Sequence, residues 1–381
     1  MGDRAAQLGE LTFDEHCRIL DEISDAGCFW LLFTGGEIFA RRDFLDIYTY
    51  AKQKGFLITL FTNGTLITPK IADYLTQWPP FSIEITLYGR TRGTYEKLTQ
   101  VPGSYEKCMR GIQLLKERGL PLKLKTVGVS INKHEIGEMK QYVEEELGLE
   151  FKFDAMINPR IDCSQSPLNV RLKPYEVVQL DLEDSNRMME WQKFGQQFNG
   201  PVQKHEQSEE LYHCGGGVNS FAIDPNGMLS ICVLSQVDHY DLRKGSFKEG
   251  WEKFLYQVRH EKKITVLNKC TKCEIKSMCG MCPANGELEN GDPEKPVDFL
   301  CHVAHLRAHA FDFPIAPHGE CEYCPGGNRH ADLMQSVNQL NKKPIEKWTS
   351  FDKANIIEQN SSSACSTGGC ASCGLASVHH P

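Results

Sequence analysis

Apolar positions in the first 160 residues switch regularly between helical spacing and short unbroken runs. Phe13, Cys17, Leu20 and Ile23 share one helical face, and Thr12 with Glu15 three residues on forms a capping box that starts the helix. Gly27 ends it, and Phe29-Trp30-Leu31-Leu32-Phe33-Thr34 follows as a continuous apolar run, the mark of a strand buried on both faces. The same alternation predicts helices over 43–53, 69–77, 104–118 and 134–147, and strands over 57–61, 82–88, 122–129 and 151–157. Units of this length imply parallel strands joined by crossover helices, hence an α/β fold. The chain enters on a helix, so a barrel-like fold would lack its first strand, and strand 30–34 is expected at the edge of the sheet.

Unusual residues collect where the predicted strands end. Strand 30–34 runs into Thr34-Gly35-Gly36-Glu37, and strand 57–61 into Thr62-Asn63-Gly64. Strand 82–88 carries Glu84, Thr86 and Tyr88, and strand 122–129 carries Lys123 and Lys125. Parallel sheets bind ligands at the carboxyl ends of their strands, and paired glycines bare backbone N–H and C=O groups to a ligand. Ordinary turns account for the same glycine pairs.

Composition narrows the picture. The 381 residues carry a formal charge of −8, which argues against a protein that grips nucleic-acid phosphates. No apolar stretch is long enough for a membrane span and no signal peptide is visible at Met1, so a cytoplasmic location is expected. Sixteen cysteines are unevenly placed, and in a reducing compartment clustered cysteines are more often metal ligands than disulfides. The strongest cluster reads Cys214-x12-Gly227-x4-Cys232, a gap, then Cys270-x2-Cys273-x5-Cys279-x2-Cys282 and Cys301 eighteen residues on. Thiolates at this spacing converge on iron or zinc. Between Cys214 and Cys232, residues 221–231 read as a hairpin turning at Asp224-Pro225-Asn226-Gly227.

Taken with Thr34-Gly35-Gly36-Glu37 and Thr62-Asn63-Gly64, the cysteine array resembles that of radical S-adenosylmethionine (SAM) enzymes with a SPASM-type auxiliary-cluster domain, peptide- and protein-modifying maturases, over roughly residues 8–312. The resemblance implies a partial (β/α)6 TIM-like barrel lacking its first strand over 1–165, a linker and helical segment over 166–209, a small cysteine-rich α+β auxiliary domain over 210–312, and a largely disordered cysteine-containing tail over 313–381. It places SAM against Gly35, Gly36, Glu37, Thr62, Asn63, Thr86 and Lys125, with Lys125 toward the SAM carboxylate. It assigns one auxiliary [4Fe–4S] centre to Cys270, Cys273, Cys279 and Cys301, and another to Cys214, Cys232 and Cys282, with His213, water or a substrate thiolate as fourth ligand. The implied partners are a peptide or protein substrate, a small precursor peptide among them, and an electron donor such as flavodoxin or ferredoxin. Sulfurs around a [4Fe–4S] cluster would stand about 6–7 Å apart and those around one zinc about 4 Å.

One departure is large. The family holds its catalytic cluster through C-x3-C-x2-C after the first strand, and no such triplet occurs in this sequence. Cys17, Cys28, Cys108 and Cys163 are too scattered to replace it. The expectation is an N-terminal segment lying outside this chain; a degenerate, non-catalytic iron–sulfur or electron-transfer protein is the alternative. Beyond the array, His318, Cys321, Cys324 and His330 either bind metal or leave free thiols in a loop, since their spacing matches no standard finger. The segment 338–373, rich in Cys, Ser and Gly toward its end, has the look of a fused precursor peptide or of a disordered appendage.

Overall fold

The computed structural model describes residues 9–199, 209–235, 237–318 and 320–340. Helix α1 (Phe13–Asp25) opens with the expected box, in which Glu15 N donates to Thr12 Oγ1 and Thr12 N to Glu15. There follow β1 (Trp30–Phe33), α2 (Phe44–Gln53), β2 (Leu57–Thr62), α3 (Pro69–Gln77) and β3 (Ser82–Thr86). After β3 come α4 (Arg92–Thr99), α5 (Ser104–Glu117), β4 (Leu122–Val127), α6 (Ile136–Gln141) and β5 (Glu150–Asp154). The strands form one parallel sheet in the order β1-β2-β3-β4-β5, so β1 is an edge, as its place in the chain led us to expect. Helix α4 is the element that the apolar pattern did not reveal; its short stretch is started by Thr91, whose hydroxyl accepts from Thr94 N.

Register sorts the sheet into two unlike faces. Phe33, Leu60, Ile83 and Leu122 are paired across neighbouring strands and share one face with Ile58, Ile85 and Leu124, most of them fully buried. The other face pairs Phe61 with Glu84, Glu84 with Lys123, and Thr86 with Lys125. It carries a run of ion pairs: Lys125–Glu84 at 2.9 Å, Lys123–Glu150 at 2.6 Å and Lys152–Glu150 at 2.7 Å. An apolar face covered by helices and a charged face left accessible direct polar ligands to the latter.

Beyond the sheet the chain continues with helices and a small antiparallel sheet. Residues 166–209 hold α7 (Pro174–Glu183) and α8 (Ser185–Phe198), which pack on each other and, through α7, on later helices. The predicted hairpin is present as β6 (Ala222–Ile223) and β7 (Met228–Ser230), turning at Gly227 with φ +85°, and β8 (Tyr240–Asp241) joins it. Helices α9 (Pro283–Asn290), α10 (Asp298–Ala310) and α11 (His330–Leu340) complete the fold. The segment expected as a disordered tail from 313 is therefore folded as far as Leu340, with Cys321, Tyr323, Cys324 and Leu333 buried. The Cys/Ser/Gly-rich stretch after Leu340 lies outside the described residues.

Two buried connections fix the second unit. Fully buried Asp181 of α7 accepts from Arg187 at 2.6 Å and from Arg307 Nε of α10 at 2.9 Å. Arg307 also donates to Met278 O and stacks 3.9 Å from the Trp191 ring, so one guanidinium joins α7, α8, α10 and the cysteine loop. On the other side α1 docks on the hairpin region: Leu11 N donates to Pro225 O, Arg18 to Leu242 O and Arg243 to Glu15.

Candidate functional site

At the carboxyl end of the sheet, Glu37 is the organising residue. Its Oε1 accepts from Thr62 Oγ1 at 2.7 Å and Phe39 N at 3.2 Å, and its Oε2 accepts from Asn63 N at 2.7 Å. The carboxylate thus ties the loop after β1 to the loop after β2. Thr62 Oγ1 in turn accepts from Gly64 N, and Asn63 Oδ1 accepts from Thr65 N, so both loops are held rigidly. Gly35 sits at φ +151°, and a methyl built on Gly35 or Gly36 would meet nothing within 4 Å. These backbones border open space with their polar groups accessible, which suits the approach of a polar ligand.

Thr86 and Lys125 lie opposite each other on the charged face. Thr86 is half-buried, with its hydroxyl against Tyr88. Lys125 is not free at the strand end: its ammonium pairs with Glu84 and lies 2.9 Å from the centre of the Phe61 ring. Burial pulls its pKa down, and Glu84 opposes the shift. Its expected contact with a SAM carboxylate would require it to leave Glu84.

The cysteines of the array come from four places. Cys270 lies in a short 3-10 turn (Lys269–Lys272), Cys273 caps that turn, Cys279 ends the next (Lys276–Met278), and Cys301 lies on α10. Burial pushes the Cys279 thiol up to about 12, and Cys270 and Cys273 push it further in the same direction. Cys301 is raised by a hydrogen bond to Cys321 and by burial, with Cys279 and Cys270 adding to it. Cys270 and Cys273 thus neighbour Cys279, Cys279 and Cys270 neighbour Cys301, and Cys321 is within hydrogen-bond reach of Cys301. Cys232 is raised mainly by burial, and its charged neighbours are Cys214 and Glu287. Cys282 is the N-cap of α9, where Asn285 N donates to its carbonyl. Glu287, nearly fully buried on α9, is a carboxylate beside Cys232 that sequence reasoning did not name, whereas His213 is exposed.

Residues 313–318 and 320–330 form a strap beside these cysteines. Lys269, next to Cys270, pairs with Glu322, while Tyr323 OH donates to Asp298 at 3.0 Å and Arg329 pairs with the same carboxylate at 2.5 Å. Cys321 is held toward thiolate by the Cys301 thiol, against its burial, with His305 and His318 adding to the effect. Hydrogen bonds to Cys273 and Cys321 push His318 up to about 11 against burial. His305 was missed in sequence because it lies in a helix with two other histidines, His302 and His309, and its one thiol neighbour by helical spacing is Cys301, four residues before it. His330 lies apart from the donors: its Nδ1 is 2.9 Å from Tyr323 O.

Known proteins resemble this chain in sequence and in fold. Residues 6–143 match the model of the Radical SAM superfamily. The chain is similar to an AdoMet-dependent heme synthase of Methanosarcina barkeri, 25% identical over 300 residues, covering 74% of this chain and 85% of the relative. It is also similar to the mycofactocin maturase MftC of Mycobacterium tuberculosis, 25% identical over 258 residues, 64% of this chain and 63% of the relative. Among solved structures, Streptococcus suis SuiB bound to S-adenosylmethionine superposes with a TM-score of 0.59 at 16% identity, over 77% of this chain and 70% of SuiB. SuiB has also been solved with its precursor peptide SuiA. Among the described residues no helix is long and apolar enough to cross a membrane.

Proposed function

We propose that this chain is a radical SAM/SPASM-type maturase scaffold: a SAM-holding sheet joined to a unit whose cysteines carry auxiliary [4Fe–4S] centres, acting on a peptide or protein. What supports the reading is the neighbourhood of the array thiols, with Cys270 and Cys273 near Cys279, Cys279 and Cys270 near Cys301, and Cys214 near Cys232. The name of one relative adds support, a PqqA peptide cyclase.

On the SAM side, the backbones of Gly35 and Gly36 would receive the methionine end, and Glu37 would orient it while keeping the two loops together. In this class SAM supplies a 5′-deoxyadenosyl radical that takes hydrogen from a substrate carbon. The residues present do not make the C-x3-C-x2-C ligand set of the catalytic cluster, and no step is derived through it. The 381-residue chain alone is expected to bind SAM without cleaving it. A second reading has an iron porphyrin as substrate or product, favoured by matches spanning 300 residues of heme synthases.

The test is anaerobic reconstitution of the full chain, with iron and sulfide analysis, equilibrium dialysis against SAM, and titration with hemin. Two filled centres require about eight irons per chain. SAM binding should weaken about tenfold in Glu37→Gln, as expected for loss of one charge-assisted contact. Iron below about two per chain, or SAM retention equal in both proteins, would overturn the proposal; a saturable shift of the hemin absorption band would favour the second reading.

A further inference from the structure

Outside the seven-cysteine array, four donors converge that no part of that reading uses. His305 of α10 and His318, Cys321 and Cys324 of the strap each bring one ligand atom within 4.8 Å of the other three. All four residues are at most 4% exposed. A chain of thiol hydrogen bonds would link these groups in a line; mutual proximity of all four atoms is instead the geometry of a tetrahedron. We propose that His305, His318, Cys321 and Cys324 bind one zinc-type divalent ion, which staples residues 313–340 to α10.

The distances agree with this. Zn–S of about 2.3 Å and Zn–N of about 2.0–2.1 Å at a tetrahedral angle give an S···N edge of about 3.6 Å. His305 Nε2 stands 3.5 Å from Cys321 Sγ and 3.8 Å from Cys324 Sγ, and His318 Nδ1 stands 3.4 Å from Cys324 Sγ. His305 is set for ligation by its own helix. Its Nδ1–H donates to Cys301 O at 2.7 Å, which leaves the Nε2 lone pair facing the two sulfurs. Metal-bound histidines have their tautomer fixed by this kind of contact. His318 Nδ1 also stands 3.0 Å from Ala316 O, to which it donates a hydrogen bond when it carries a proton.

Charge gives a second argument. Two thiolates and two neutral imidazoles neutralise a divalent ion, so the loaded site carries no net charge into a buried pocket. The local backbone is built for the same end. Cys324 N donates to Cys321 O, and Gly327 N to Cys324 O, which curls the two thiols toward one point. A methyl on Gly327 would stand 2.3 Å from Glu322 O, so the knuckle closes only with glycine there. The donor spacing, H-x12-H-x2-C-x2-C, is not that of a standard finger, which is why the sequence left the site undecided.

The experiment uses the full chain reconstituted anaerobically with iron, sulfide and zinc. Elemental analysis should find about one zinc per chain beside the iron. Zinc-edge X-ray absorption should show two sulfur and two nitrogen neighbours. In Cys324→Ser and in His305→Gln the zinc should fall at least about tenfold while the iron is kept. On the unmodified chain, a zinc chelator should open 313–330 to limited proteolysis, and added zinc should close it again. Absence of zinc, a four-sulfur or three-sulfur zinc environment, or loss of iron rather than zinc in Cys324→Ser would overturn the assignment. The last outcome would make Cys324 a cluster ligand instead.

Discussion

Glu135 shows how much one buried carboxylate does in this molecule. It accepts from Arg90 N, Thr91 N and the hydroxyls of Thr91 and Thr94, so it holds the loop after β3 and the start of α4 against the loop after β4. Burial raises its pKa, yet the Thr91 and Thr94 contacts outweigh burial and leave it lowered. A carboxylate with a lowered folded pKa adds stability above its unfolded value of about 4.3, and that stability is lost as pH falls through the folded value. Glu135→Gln should therefore cost about 1.5–3 kcal/mol at pH 7, measured by urea unfolding, and markedly less near pH 3. An equal loss at both pH values would show that the charge is not what holds the loops. At this scale the sequence was legible where motif and neighbour coincide, as in Thr34-Gly35-Gly36-Glu37 with Thr62-Asn63. It was silent about His305 and Glu287, whose partners lie far along the chain or on another element. Lys125 was legible as an unusual strand residue but not as Glu84's partner, because pairing across strands depends on register.

Among the elements, α5 is seated unusually close to the site. A methyl on Gly111 would stand 2.2 Å from Gly64 O and 3.3 Å from Ile67 Cβ, so glycine lets the helix press against the loop that carries Thr62 and Asn63. Gly111→Ala should destabilise the chain by about 1–3 kcal/mol, the usual scale of overpacking, and should weaken SAM retention by shifting that loop. A variant with unchanged melting temperature and unchanged SAM binding would refute the close-packing argument. Strong periodicity made α1, α5 and all five sheet strands readable, with ends off by a few residues. Helix α4 has only Tyr95 buried, so it lacks the repeating apolar face on which such reading depends. The strap was unreadable for a different reason: its order rests on Tyr323, Asp298, Arg329 and the buried thiols, contacts that composition does not encode.

For the molecule as a whole, the exposed edge at β1 is the main liability. Phe29 is 59% exposed and Trp30 40%, with Phe81 against Trp30 at 4.5 Å between ring centres. An uncovered apolar edge invites pairing with another chain. Phe29→Lys should lower self-association in sedimentation experiments while leaving the melting temperature within about 0.5 kcal/mol equivalent, as for an exposed position. Equal association in both proteins would mean that this edge is not the contact. The docking of α1 on the hairpin region has a further consequence. Leu11, Arg18 and Glu15 near the start of the chain bond to residues more than two hundred positions away, while Asp181 and Arg307 close the circuit on the far side. Helix α1 and the residues just before it therefore complete their contacts only after the hairpin region has been synthesised. On the ribosome, the side of α1 that packs on α2 can be covered early, while the side that meets the hairpin region stays open until the second unit emerges.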